Sequence, residues 1–168
     1  MELMVACSMF AILAGIAVPQ YRSVALQMRT TAAANFVLSD LTFARDMAQR
    51  TGIPHYVDVT GGVMNYSIKR TAAPPALQPT TDPAVRNQSL GQRLSGVTFS
   101  LNGATADPYG AAATAATPAA RIVFNARGLP NAPGAYFIAS TDGAYSHVVA
   151  VTGAGRIRLW TRVGSTWR

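Results

Sequence analysis

The sequence is poor in the residue types that most chemistry needs. It has one cysteine, Cys7, and one glutamate, Glu2, among 168 residues. A single cysteine excludes an internal disulfide framework and any cysteine-based metal cluster. Cys7 sits inside an apolar run, where a small buried hydrophobe is the ordinary reading. A single glutamate excludes a pair of glutamates for acid–base work. The six aspartates, Asp40, Asp46, Asp58, Asp82, Asp107 and Asp142, are scattered without metal-ligand spacing. Charged residues make up only 12% of the chain, about half the usual share. That shortage points to surface given over to membrane, to neighbouring subunits or to neutral loops.

No glycine-rich phosphate loop is present either. Gly61-Gly62 reads as a hairpin turn, and Gly153-Ala154-Gly155 precedes a strand rather than a helix. Asp142, Ser146 and His147 contain the residue types of a hydrolytic triad. Adjacent strand residues point to opposite faces, so Ser146 and His147 cannot share a proton. The sequence predicts no enzyme, no metal and no cofactor.

Leu3 to Tyr21 is a run of nineteen residues without a charge. At about 1.5 Å per residue such a helix spans about 28 Å, close to the roughly 30 Å of a bilayer's hydrocarbon. A secretory signal peptide is the rival reading, but no basic segment precedes the run and no small-x-small cleavage site follows it. A retained anchor is expected, with membrane lipid as its partner. Glu2 stands at its start, and intramembrane acids are costly enough to be functional by default. Its alternative is a residue at the water interface.

Helical character continues past the run. Ala25, Met28, Ala32, Phe36, Phe43 and Met47 recur at spacings of three, four or seven, with Val37, Leu41, Ala44 and Ala48 beside them. Thr51-Gly52 ends the pattern and Pro54 prevents its resumption. One helix of about fifty residues is predicted, apolar over 1–21 and amphipathic over 22–51, with Pro19 bending or locally opening it. Residues 52–168 then form a β-rich domain. Strands are expected at 55–60, 63–69, 97–101, 121–125, 135–140, 147–151 and 156–160, with loops over 71–92 and 102–120. The fold class is α+β, the helix covering a small antiparallel sheet.

Thirteen of the fourteen basic residues are arginines, and the net charge is +7. Arg156, Arg158, Arg162 and Arg168 fall in the last thirteen residues, which hold no acid. On an extended strand Arg156, Arg158, Trp160 and Arg162 share one face, and Ile157, Leu159, Thr161 and Val163 the other. Guanidinium for phosphate and indole for stacking suit nucleic acid. The alternative is a solvated edge strand whose arginines discourage edge pairing.

The segment MELMVACSMFAILAGIAVPQYRS resembles the N-terminus of type IV pilins and type II secretion pseudopilins. It shares the Glu-Leu-Met-Val block, the apolar run and the closing Pro-Gln-Tyr. The resemblance implies that Glu2 pairs with the N-terminal amine of a neighbouring subunit inside a filament, and that the partners are other pilin or pseudopilin subunits. The family's basic leader, glycine cleavage site and Phe-Thr-Leu-like start do not precede Glu2. A prepilin peptidase would therefore act on a longer precursor. NFVLSDLTFARDMAQRTGIPHYVDV, RIVFNARGLP and VTGAGRIRLW are similar to landmarks of the GspH/FimT group of minor pilins. The implied location is the bacterial inner membrane, single-pass, with residues 52–168 in the periplasm. In the FimT branch a Gly-Arg-x-Arg tail is associated with DNA, and Gly155, Arg156, Ile157 and Arg158 match it. The resemblance thus implies a structural subunit of a secretion pseudopilus or type IV pilus, with DNA capture as the alternative task.

Overall fold

The computed structural model describes residues 2–59, 64–71, 82–111 and 121–168. Its frame is a single helix, α1 (Glu2–Thr51), unbroken through position 19. The helix stops where the sequence says it should. Gly52 takes φ +67° and donates its N–H to the Ala48 carbonyl at 3.0 Å. Only glycine reaches that backbone state without a steric cost, and it closes the last turn.

The buried face of α1 keeps Val37, Leu41, Ala44 and Ala48 of the expected stripe but departs from it toward the N-terminal end. Ala33, Ala34, Val37, Leu41, Ala44 and Ala48 are almost wholly inaccessible, while Met28 is 68% and Phe36 45% exposed. The stripe expected through Ala25, Met28, Ala32 and Phe36 is therefore rotated by about one residue. Four alanines on the inner face let the sheets approach the helix axis closely, and bulkier residues turn outward.

Nine strands among the described residues form two sheets. Sheet A joins β1 (His55–Val59), β2 (Asn65–Arg70), β3 (Ala84–Ser89) and β5 (Val123–Phe124) in the order β3-β2-β1-β5. Sheet B joins β4 (Val97–Phe99), β6 (Gly134–Ser140), β7 (Ser146–Val151), β8 (Ile157–Val163) and β9 (Thr166–Trp167) in the order β4-β6-β7-β8-β9. Every pairing is antiparallel. The expectation of one sheet is corrected to two, both packed on α1.

The region 71–92, expected to be loop, contains β3 and the short helix α2 (Leu90–Arg93). The strand was hidden because AVRNQS is polar and almost fully exposed, so no alternation marks it. Neither was β9 foreseen. It closes a tight hairpin on β8, pairing Arg162 with Trp167 and Val163 with Thr166. The Gly61-Gly62 hairpin turn lies outside the described residues, although β1 and β2 pair as that turn requires. Residues 102–111 form a loop as expected, and 112–120 are outside the described set.

The core lies between α1 and the two sheets. Leu41, Val37, Val57, Ile68, Phe99, Tyr136, Ile138 and Val149 belong to one buried cluster. Phe99 links the sheets, meeting Tyr66 edge-on at 6.1 Å and Tyr136 at 6.5 Å. A smaller cluster forms on the opposite face of sheet B, where Phe137, Val148 and Ala150 are covered by Leu101, Ala104, Trp160 and Trp167. Strands β6 and β7 are thus buried on both faces.

Candidate assembly surface

Two stretches of α1 meet different surroundings. From Leu26 onward the helix lies on the domain, the Leu26 side chain reaching Gly96. Before it, Met4, Met9, Phe10, Leu13, Val18, Tyr21 and Val24 are exposed. A water-exposed row of this length is unusual in a soluble chain, where large contiguous apolar patches mark interaction sites. Glu2 opens α1 and Pro19 lies within it; their side chains fall outside the described set. Among the described residues no helix is long and apolar enough to cross a membrane. The side chains of nine of the nineteen residues in the run 3–21 fall outside the described set.

The packed half is fastened by a buried carboxylate. Asp40, 2% exposed, accepts hydrogen bonds from Tyr66 Oη at 2.8 Å, Arg86 Nη1 at 2.8 Å and Gln88 Nε2 at 2.9 Å. One aspartate on the helix thereby binds β2 and β3. Arg86 also stacks over the Phe43 ring at 5.1 Å. Burial, then the Asp40 charge, pushes the Tyr66 hydroxyl well above the ordinary phenol range, so it stays a donor. A second clamp joins β1, β2 and the segment before β5. Asp58 accepts from Lys69 Nζ at 2.7 Å and Arg121 Nε at 2.9 Å. Sequence reading left both aspartates as scattered charges. The available signal was position: Asp40 falls between buried Val37 and Leu41 on the helix's inner face.

The C-terminal arginine face is only partly assembled as expected. Arg156, Arg158 and Arg168 are exposed. Trp160 shares the outer face of β8 with Arg158, but it is half-buried against the smaller core cluster, with Tyr109 edge-on at 6.2 Å. Its buried indole N–H has no acceptor among the described residues. Arg162 is drawn onto the loop, donating to the carbonyls of Asn102 and Gly103, and lies over the Trp167 ring at 5.9 Å. The expectation of three free guanidiniums beside a free indole on β8 is corrected. The loop 101–111 has come down over the outer face, burying the indole and engaging Arg162.

Gly155 does make the close contact its position demands. It has φ +76°, and a Cβ there would meet the Gly128 carbonyl oxygen at 2.9 Å. Its own carbonyl accepts from Arg45 Nη1 at 3.2 Å, tying the turn before β8 to α1.

Ser146, His147 and Asp142 serve separate partners. Ser146 Oγ accepts from Asn102 Nδ2 at 2.7 Å, while Asp142 accepts from Ser140 Oγ and the Ala144 N–H. His147 faces the helix, its ring nitrogens 3.1 Å from Thr161 Oγ1 and 3.3 Å from Thr31 Oγ1. Burial lowers its pKa and favours the neutral ring. Among the described residues no group of His, Cys, Asp or Glu could hold a metal ion.

Comparison with known proteins agrees with this architecture. Residues 33–155 match the family described as type II transport protein GspH. No curated protein matches the sequence. Two crystal structures of the Pseudomonas aeruginosa type IV minor pilin FimU are similar in fold, at 18% sequence identity. The first has a TM-score of 0.53, with 82% of this chain and 91% of that chain covered. The second has a TM-score of 0.51, with 82% and 96% covered. Most of the packed half of α1, from Ala33 on, lies within the matched span, as do both clamps and seven of the strands. With its long helix lying across antiparallel sheets and most of its length matched, the chain belongs to the GspH family of type IV pilin-like and pseudopilin proteins.

Proposed function

We propose that this chain is a minor pilin or pseudopilin, a structural subunit of a type II secretion pseudopilus or a type IV pilus. The observation that carries the reading is the exposed apolar row on α1 ahead of Leu26. Left in water it costs roughly 25 cal/mol per Å2 of apolar surface, so another body must cover it. The run 3–21 is held in the inner membrane before assembly, with residues 52–168 in the periplasm, and among neighbouring subunits afterwards. Glu2, at the helix start, pairs with the N-terminal amine of a neighbour, and a prepilin peptidase processes a longer precursor. Glu2→Ala is expected to leave the protein in the membrane fraction and to exclude it from sheared filaments. Wild-type yield of the variant in filaments would contradict the pairing role.

A second task, capture of DNA, is favoured by one feature. Arg156, Arg158 and Arg168 are exposed in a tail that contains no acid. With Trp160 half-buried, binding would rest on phosphate contacts, without sequence preference and with a log–log salt slope of about −3 for three contacts. Arg156→Ala, Arg158→Ala and Arg168→Ala together should abolish binding of duplex DNA by the detergent-solubilised chain. Unchanged affinity would remove this reading.

A further inference from the structure

Arginine gathers where α1 enters the domain. Arg22 follows directly on the uncharged run that ends at Tyr21. Arg22, Leu26 and Arg29 are spaced four and three apart, so they share one face of the helix. Leu26 on that face reaches Gly96, just before β4. Arg29 Nη1 donates to the Ser95 hydroxyl at 3.1 Å and to the Ser95 carbonyl at 3.2 Å. Its other guanidinium nitrogens have no partner among the described residues, so Ser95 positions the group without using it up. Arg93, the last residue of α2, stands two positions before Ser95. Arg22, Arg29 and Arg93 are all exposed.

Acids are scarce at this end. The sequence has none between Glu2 and Asp40, and none between Asp82 and Asp107. Among the described residues the acid tied to this end is Asp142, in the turn between β6 and β7, where the Thr141 N–H donates to the Gly96 carbonyl at 2.9 Å. Asp142 accepts from Ser140 Oγ and the Ala144 N–H. Three arginines thus stand against one carboxylate. Their depth matters as much as their number. At about 1.5 Å per residue Leu26 lies about 7.5 Å beyond Tyr21. The polar layer of a bilayer is about 5–8 Å deep on each side, given about 30 Å of hydrocarbon within 40–45 Å overall. With the run 3–21 in hydrocarbon, Arg93, Ser95 and Gly96 come to the outer edge of that layer. The Arg22 side chain tilts toward the helix N-terminus and so into it. Arginine is concentrated on the cytoplasmic side of membrane spans, so a cluster on the exported side runs against the usual bias.

We infer that this end of the domain is a binding face for the phosphate of an anionic phospholipid headgroup, with Arg22, Arg29 and Arg93 as its donors. The inference rests on the reading that the run 3–21 lies in a bilayer before assembly, and it names the lipid class and the residues that hold it. Charge selects the class: the excess of arginine favours phosphatidylglycerol over a zwitterionic lipid. Guanidinium geometry selects the phosphate, which a planar fork of N–H donors takes in pairs. Arg29 and Arg93 belong to different elements, so a headgroup between them holds the domain, and not the helix alone, at the membrane surface.

The test offers the full chain in detergent equal amounts of phosphatidylglycerol and phosphatidylcholine with the same acyl chains, and native mass spectrometry counts the lipids bound. Phosphatidylglycerol adducts should exceed phosphatidylcholine adducts by about fivefold or more, the gain of roughly one arginine at an anionic surface. Arg93→Gln, outside α1, should remove most of that preference, and Arg22→Gln with Arg29→Gln should do the same. Arg127→Gln, at the far end of α1 beside Gln49, should preserve it. Equal adducts from the two lipids would overturn the inference. So would a preference that survives Arg93→Gln, which would place the lipid on the flank of the run alone. Loss of preference in Arg127→Gln would reduce the effect to overall charge, and displacement by millimolar inorganic phosphate would make the ligand free phosphate; either result contradicts the headgroup face. The anchoring reading is checked apart from it. Wild-type chain that fails to float with phosphatidylcholine vesicles would refute the anchor and the face with it, whereas chain that floats without lipid preference refutes the face alone.

Discussion

The two halves of α1 obey the same local rules and meet opposite fates. Beyond Leu26 the helix spends its alanines, Val37 and Leu41 on its own domain, and even an acid, Asp40, is buried there with three donors around it. Ahead of Leu26 a still more apolar sequence buries nothing of its own among the described side chains. Hydrophobicity alone therefore does not decide which half folds against the sheets. What sets the packed half apart is its contacts: Ala33, Ala34, Ala44 and Ala48 lie against the sheets, and the hydrogen bonds of Asp40 fix the register. The projecting half has no such partner within the chain and is left for another molecule or a bilayer.

The comparison can be broken most forcefully at the inner face. Leu41→Ala should destabilise the domain by about 2–5 kcal/mol, whereas Leu13→Ala, on the projecting half, should stay within about 0.5 kcal/mol. Urea unfolding of both variants in detergent measures the contrast. Equal effects would mean that the two halves are not energetically distinct.

A smaller loss is expected from Asp40→Asn. The amide keeps one acceptor oxygen but presents an NH2 group to donors, so at least one of Tyr66, Arg86 and Gln88 loses its partner. The cost should be about 1–3 kcal/mol, toward the lower end because Arg86 is half-exposed and screened by water. Hydrogen exchange should show β3 opening first, since Arg86 and Gln88 both lie on it. Unchanged protection of β3 would show that the clamp does not hold the strand.

The smallest effect is the pH dependence carried by His147. Its pKa in the folded domain is depressed by burial, so the unfolded chain binds the proton more readily. Stability should therefore fall as pH drops through the unfolded value of about 6.5 and level off below the depressed folded value. His147→Gln should flatten that slope, as followed by thermal unfolding between pH 7.5 and 5. A slope of the same size in the variant would assign the effect to another group.

Much of this was legible because helices and apolar strands announce themselves by period. The fifty-residue helix, its stop at Gly52 and strands β6, β7 and β8 follow from spacing and turn residues. The outward turn of Met28 and Phe36 was not legible: both fit a core by hydropathy, and no local pattern says that the sheets meet the helix on the side of Ala33 and Ala34. Strand β3 escaped because its partners recognise it through Arg86 and Gln88 rather than through apolar alternation. The β8 face was read correctly in its alternation but not in its exposure, since no local pattern says that the loop bearing Asn102, Gly103 and Tyr109 folds over Trp160 and Arg162.

The claim beneath all of this is that the first half of α1 is covered by something other than its own domain, and the chain carries its own probe. Cys7 is the single cysteine and is exposed on the isolated helix. In full-length chain reconstituted into vesicles, a membrane-impermeant maleimide should fail to label Cys7 until the bilayer is dissolved and the chain denatured, while Ser165→Cys, in the exposed turn after β8, labels at once. Labelling of Cys7 in intact vesicles as fast as at position 165 would show that the apolar half stands in water, and the account would be wrong.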